Sequence, residues 1–140
     1  MSTDEVRFGA VGDGTSARLF NPERHQSGSV DYFTIELGDR SASARLRVYA
    51  HDASRLAELF ESMASEWRGW PGEKRWHSPE SEFELVATAD GRGHVAVQIR
   101  LTPPTSPYPP PWRFECRLPL EAGQLDRVAE QVRSFVDGSG

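Results

Sequence analysis

Ser29-Val30-Asp31-Tyr32-Phe33-Thr34-Ile35-Glu36-Leu37-Gly38-Asp39-Arg40-Ser41-Ala42-Ser43-Ala44-Arg45-Leu46-Arg47-Val48-Tyr49-Ala50 decides the fold class. Phe33, Ile35 and Leu37 alternate with Tyr32, Thr34 and Glu36, the period-two pattern of a strand with one wet face. Gly38 to Ser41 supplies a turn. The return run sets Ala44, Leu46, Val48 and Ala50 against Ser43, Arg45, Arg47 and Tyr49, and the two runs predict a hairpin. Downstream the period changes. Leu56, Leu59, Phe60, Met63 and Trp67 recur at steps of three and four, one apolar helix stripe, with Asp52 placed as its N-cap and Gly69 and Pro71 as its stop.

The same alternation then returns. Phe83, Leu85 and Ala87 alternate with Glu82, Glu84 and Thr88, and Ala89 to Gly93 is a turn carrying an Asp-Gly signal. Val95, Val97, Ile99 and Leu101 face inward on the next run, with His94, Gln98 and Arg100 outward. Residues 103–111 hold six prolines in nine positions and form an extended loop that cannot pair. Phe114, Cys116, Leu118 and Leu120 predict a last strand. Leu125, Val128, Ala129, Val132, Phe135 and Val136 stripe a last helix, and residues 137–140 are a frayed tail. Upstream, residues 1–16 are an irregular lead-in, Ala17 to Phe20 a short edge strand ended by Asn21-Pro22, and residues 21–29 a loop. These elements predict an α+β protein. Its order is strands, helix, strands, helix, with one antiparallel sheet of five to six strands and both helices on one face. The two helix starts, Asp52-Ala53-x-x-Leu56 and Glu121-Ala122-x-x-Leu125, look alike. Aligning them leaves the preceding strands out of phase by one residue, so the sequence does not establish a duplication. A core is expected from Leu46, Val48, Leu56, Phe60, Met63, Leu85, Val97, Ile99, Leu118, Leu125 and Val132.

At 140 residues the chain fits a single domain spanning 1–140. Residues 1–70 carry 8 basic and 11 acidic side chains and residues 71–140 carry 8 and 10, so no basic surplus or tract supports a nucleic-acid partner. No apolar run approaches the ~18 residues of a membrane span, and the N-terminus lacks the pattern of a secretory signal. With Cys116 the only cysteine, the expected location is cytoplasmic. Lys74 is the only lysine among 16 basic residues, a skew that fits codon usage better than chemistry.

No catalytic, metal or cofactor signature emerges. Gly9, Gly12 and Gly14 precede a strand-like run rather than opening a helix, so they do not make a dinucleotide loop. His25, His51, His77 and His94 lack metal-ligand spacing. Cys116 falls among inward apolar residues, where a thiol behaves as a small hydrophobe. Glu82 and Glu84 are expected on one wet face, paired with arginines such as Arg100 or Arg117. The tryptophan-rich segment 67–77 is the least ordinary. Trp67 belongs to the helix stripe, while Trp70 and Trp76 are lids over the core or recognition anchors, with Arg68 able to stack on a neighbour.

Trp67-Arg68-Gly69-Trp70-x-Gly72-Glu73-x-x-Trp76, Leu85-x-Ala87-Thr88-x-Asp90-Gly91-x-Gly93-His94-Val95 and Leu118-x-Leu120-Glu121-Ala122-Gly123-Gln124-Leu125 together resemble a family of small uncharacterised proteins from high-GC bacteria. The resemblance covers roughly residues 30–136 and implies no activity, cofactor or site. Function is therefore expected to be non-catalytic binding, with Trp70, Trp76, Arg68, Tyr32, Arg45, Arg47 and Tyr49 as contact residues. The wet face also offers Glu36, Glu84, His94, Arg100 and Arg117. The partner is expected to be a protein: a second copy of the chain, another protein, or a toxin if the chain is immunity-like. The alternative is a small hydrolase or lyase using His77, Glu73 and Asp90 beside the tryptophan loop. No cofactor and no metal is expected.

Overall fold

The computed structural model describes residues 4–10, 12, 14–51, 53–104 and 109–138. Eight strands and two helices follow in chain order: β1 (Glu5–Gly9), β2 (Ser16–Arg24), β3 (Val30–Gly38), β4 (Ser43–Tyr49), α1 (Ser54–Ser65), β5 (Lys74–His77), β6 (Phe83–Ala89), β7 (His94–Leu101), β8 (Phe114–Glu121) and α2 (Leu125–Asp137). The strands form two sheets, not one. β1-β2-β3-β4 and β5-β6-β7-β8 are each a four-stranded antiparallel meander, and among the described residues no strand of one half pairs with a strand of the other. This corrects the expected single sheet of five to six strands, within a fold that remains α+β.

The physical reason lies in two short strands and in the inner faces. β1 offers only Val6 and Phe8, and β5 only Trp76, as inward apolar residues, too few for alternation to show. Residues 5–9 are thus a strand rather than part of an irregular lead-in, and between β1 and β2 Ala10 N–H donates to Thr15 O at 2.9 Å. Each half then has an apolar face too large to cover with one helix. The inner faces share one core with the helices, where Phe33 meets Phe83 edge-on at 6.2 Å, Phe60 meets Phe8 at 5.2 Å and Phe135 meets Phe33 at 5.7 Å. The expected core residues fall into one buried cluster, except that Leu46 is half-buried at a sheet edge.

Pro22 does not end β2. Asn21 takes a left-handed φ of 50° and a register shift follows Phe20, so the proline sits at a β-bulge within a continuing strand. Asp52, the expected cap of α1, lies outside the described residues. The residue at the cap position, Ala53, makes no side-chain capping bond. α1 ends at Ser65, so Trp67 leaves the stripe and is half exposed. α2 ends on Gly138, whose φ of 70° suits a residue without Cβ.

The halves repeat each other. The rung Leu19–Ile35–Leu46 of the first sheet matches Leu85–Ile99–Cys116 of the second, and each sheet is followed by a helix. The one-residue phase difference is absorbed between strand and helix. β8 runs into a 3-10 turn, Ala122–Gln124, closed by a capping box between Glu121 and Gln124, whereas Ala50 to Ala53 leads into α1.

Candidate functional site: the outer face of the first sheet

Tyr32, Arg45, Arg47 and Tyr49 come together. Period-two alternation turns all four away from the core, and antiparallel register sets Tyr32 opposite Tyr49, Thr34 opposite Arg47 and Glu36 opposite Arg45. The Arg47 guanidinium lies over the Tyr32 ring at 3.7 Å and forks onto Glu23, with Nε and Nη2 donating at 2.8 and 2.7 Å. Tyr32 packs on Tyr49 at 5.1 Å, and Tyr49 stacks on His51 at 6.2 Å with ring planes 9° apart. One row along, Arg45 donates to Glu36 at 2.7 Å and approaches the Phe20 ring at 5.3 Å, while Arg18 covers the same ring at 3.7 Å. Phe20 is 9 % exposed yet stands outside the main core, sealed by these arginines. The bonds from Arg47 and Arg45 hold the Glu23 and Glu36 carboxyls below their ordinary range. Sequence reasoning missed Arg18 and Phe20, because it placed Ala17 to Phe20 on a sheet edge, whereas β2 lies between β1 and β3 and sets Arg18 opposite Glu36 and Phe20 opposite Thr34. Alternation against Ala17 and Leu19 is the signal that would have found them.

The tryptophan segment is built differently. Trp70 is 8 % exposed, its Nε1–H donates to Ala87 O at 3.3 Å, and Lys74 covers its ring at 5.0 Å. Trp76 packs half-buried on Phe83 at 5.2 Å. Both are lids over the core. Arg68 is exposed and stacks on the exposed Trp67 at 5.0 Å, away from the Tyr–Arg face. The other wet-face residues, Glu84, His94, Arg100 and Arg117, belong to the second sheet.

Glu73 and His77 share a cleft of about 250 Å³ with Glu84, Arg100 and Glu115, but Asp90 lines a separate hollow of about 650 Å³ with His94, Arg117 and Glu121. In the cleft Glu73 binds Arg75 at 2.8 Å, and Arg100 binds Glu115 at 2.9 Å and Glu84 at 3.5 Å. In the hollow Asp90 takes His94 Nδ1 at 2.8 Å, and Glu121 lies 3.7 Å from Nε2, which raises the imidazole above its ordinary value. Burial pushes the Cys116 thiol up, away from thiolate chemistry at neutral pH. Among the described residues no group of three or more His, Cys, Asp or Glu is placed to hold a metal ion.

Glu82 overturns its expected place on a wet face. Only 1 % exposed, it accepts bonds from the Ser78 hydroxyl and, at 3.2 Å, from Tyr49 N–H. Glu84 alone of the two pairs with Arg100.

The three motifs behind the resemblance meet at one end of the second sheet. A Cβ on Gly69 would stand 3.1 Å from Gly91 Cα, and Ala122 N–H donates to Gly93 O at 2.9 Å. Close approach to Gly91 calls for glycine at 69, while Gly91 and Gly93 have room for a Cβ but left-handed φ values of 78° and 87° that favour glycine.

Fold and surface together define a two-sheet α+β protein with a doubled ββββα plan and open outer faces. The chain belongs to the family of unknown function DUF6228, whose model matches residues 10–139. No curated protein and no solved structure matches it. Among the described residues no helix is long and apolar enough to cross a membrane.

Proposed function

We propose that the chain is a protein-binding module whose contact surface is the outer face of its first sheet. One observation carries the reading. Arg18, Phe20, Tyr32, Arg45, Arg47 and Tyr49 form a continuous arginine–aromatic surface already held in place by Glu23 and Glu36. Tyrosine and arginine are the types enriched at interfaces and their hot spots. Side chains ordered before contact lose less conformational entropy on binding, so a larger share of each contact appears as affinity. A cytoplasmic location suits a chain whose one cysteine cannot form an internal disulfide. The hydrolase reading has less support, since Glu73, Glu84 and Glu115 are engaged by arginines and Asp90 lies in a different hollow.

The test places a photo-crosslinking residue at Tyr32 or Tyr49 in cells, with Glu130 on α2 as the control. A protein trapped from the two sheet positions and not from α2 is expected. Its capture should fall in Arg47→Ala while the melting temperature stays close to wild type, because exposed substitutions cost under ~0.5 kcal/mol. Trapping only from Glu130 would refute the assignment.

A further inference from the structure

β4 is an open edge. Among the described residues it pairs only with β3, and alternation of its backbone groups tells which ones are left over. Ala50 N–H donates toward β3, to Asp31 O at 2.7 Å, whereas Tyr49 N–H points the other way, to Glu82. Ser43, Arg45 and Arg47 share the parity of Tyr49, so their N–H and C=O groups line the side of β4 away from β3. Half-buried Ala44 and Leu46 flank this edge on the inner face. The other edges are blunted. β8, the counterpart in the second half, has Pro119 at the position equivalent to Tyr49, facing its own open side without an N–H, while β1 and β5 have 5 and 4 residues.

We infer that the free edge of β4 is a strand-addition site for an extended segment of a partner protein with acidic side chains at alternate positions. The inference rests on the reading of the chain as a binding protein. An added strand would satisfy the backbone groups of Ser43, Arg45 and Arg47 and cover Leu46, while its outward side chains fall directly across from Arg45 and Arg47, which stay more than half exposed although each already bonds one carboxylate of its own sheet, Glu36 and Glu23. Opposite charges at that spacing favour pairing and like charges oppose it. The same arginines argue against a second copy of the chain. Any antiparallel two-fold pairing of β4 centred on residues 45–47 sets arginine against arginine. The edge thus selects against itself and for a carboxylate-bearing strand.

A display library of short random-sequence peptides, panned on the intact chain, tests this. Peptides with Asp or Glu at alternating positions are expected. Their binding should slow hydrogen exchange at the Arg45 and Arg47 amides. Arg45→Glu with Arg47→Glu should weaken the selected peptides about tenfold or more and shift a fresh selection toward Lys and Arg. If charge reversal next to Glu23 and Glu36 lowers stability, Arg45→Gln with Arg47→Gln should still remove the acidic preference. Selection without acidic bias, no selection at all, or protection confined to other amides overturns the inference. Peptides that lie across Phe20 and Tyr32 without protecting the β4 amides would overturn the edge and leave the face reading intact. Cross-linking solely from α2 would do the reverse.

Discussion

Replacing Glu82 should separate the two halves of the fold more than its size suggests. Its carboxylate receives the Ser78 hydroxyl and Tyr49 N–H, while its main-chain oxygen accepts Thr102 N–H at 3.0 Å, so one residue ties the end of β4 to the turn before β6. Hydrogen bonds to a charged group contribute about 1.5–3 kcal/mol each, so Glu82→Ala forfeits roughly 3–6 kcal/mol of bonding. Removing a carboxylate that has no cationic partner among the described residues relieves part of its desolvation cost. A net loss of about 2–4 kcal/mol is expected, against a total of roughly 5–15 kcal/mol for such a domain. Glu82→Gln keeps the shape and one acceptor and should cost about 1–2 kcal/mol. Urea unfolding supplies the two values. Hydrogen exchange at the Tyr49 amide locates the effect, since that group should exchange quickly in Glu82→Ala and remain protected in Ser78→Ala. An alanine variant as stable as wild type, with Tyr49 still protected, would show that the halves are joined by apolar packing alone.

Two further outcomes follow from the same contacts. Trp70→Ala should cost about 3–5 kcal/mol through the cavity it leaves, and Trp67→Ala under ~0.5 kcal/mol; similar melting temperatures for the two would contradict the lid assignment. The imidazole of His94, raised by its bond to Asp90, should titrate above its ordinary value in an NMR pH series and return toward it in Asp90→Asn. Because its folded value is raised, its contribution is full below pH ~6.5 and fades as pH climbs through the folded value, and His94→Gln should flatten that part of the stability profile.

Strands with three or more inward apolar residues were legible: Phe33-Ile35-Leu37, Val95-Val97-Ile99-Leu101 and the two helix stripes announce themselves by period. β1 and β5 were not, because Glu5–Gly9 and Lys74–His77 are shorter than the window in which alternation shows. Their absence concealed the doubled plan, and with it the second sheet. Glu82 read as wet because it stands two residues before Glu84. It is the tertiary approach of Tyr49, 33 positions earlier, that draws it inside. On the candidate face, Tyr32, Arg45, Arg47 and Tyr49 were legible from alternation alone. Trp70 and Trp76 carried no signal separating lid from anchor, since both roles call for a large aromatic beside a turn.

The repeat also indicates where specificity resides. Inside, matched rungs hold similar residues, Ile35 and Ile99, Leu19 and Leu85, because each must fill a close-packed volume. Outside, the matched positions part company. Where the first sheet has Phe20, Tyr32 and Tyr49, the second has Val86, Ala96 and Pro119. Ala96 and Pro119 line the hollow of about 650 Å³. Core packing does not dictate these choices, and exposed substitutions cost little stability. Under the proposed function, the half with bulky aromatics, bidentate arginine and an unblocked edge strand is the one that holds the partner.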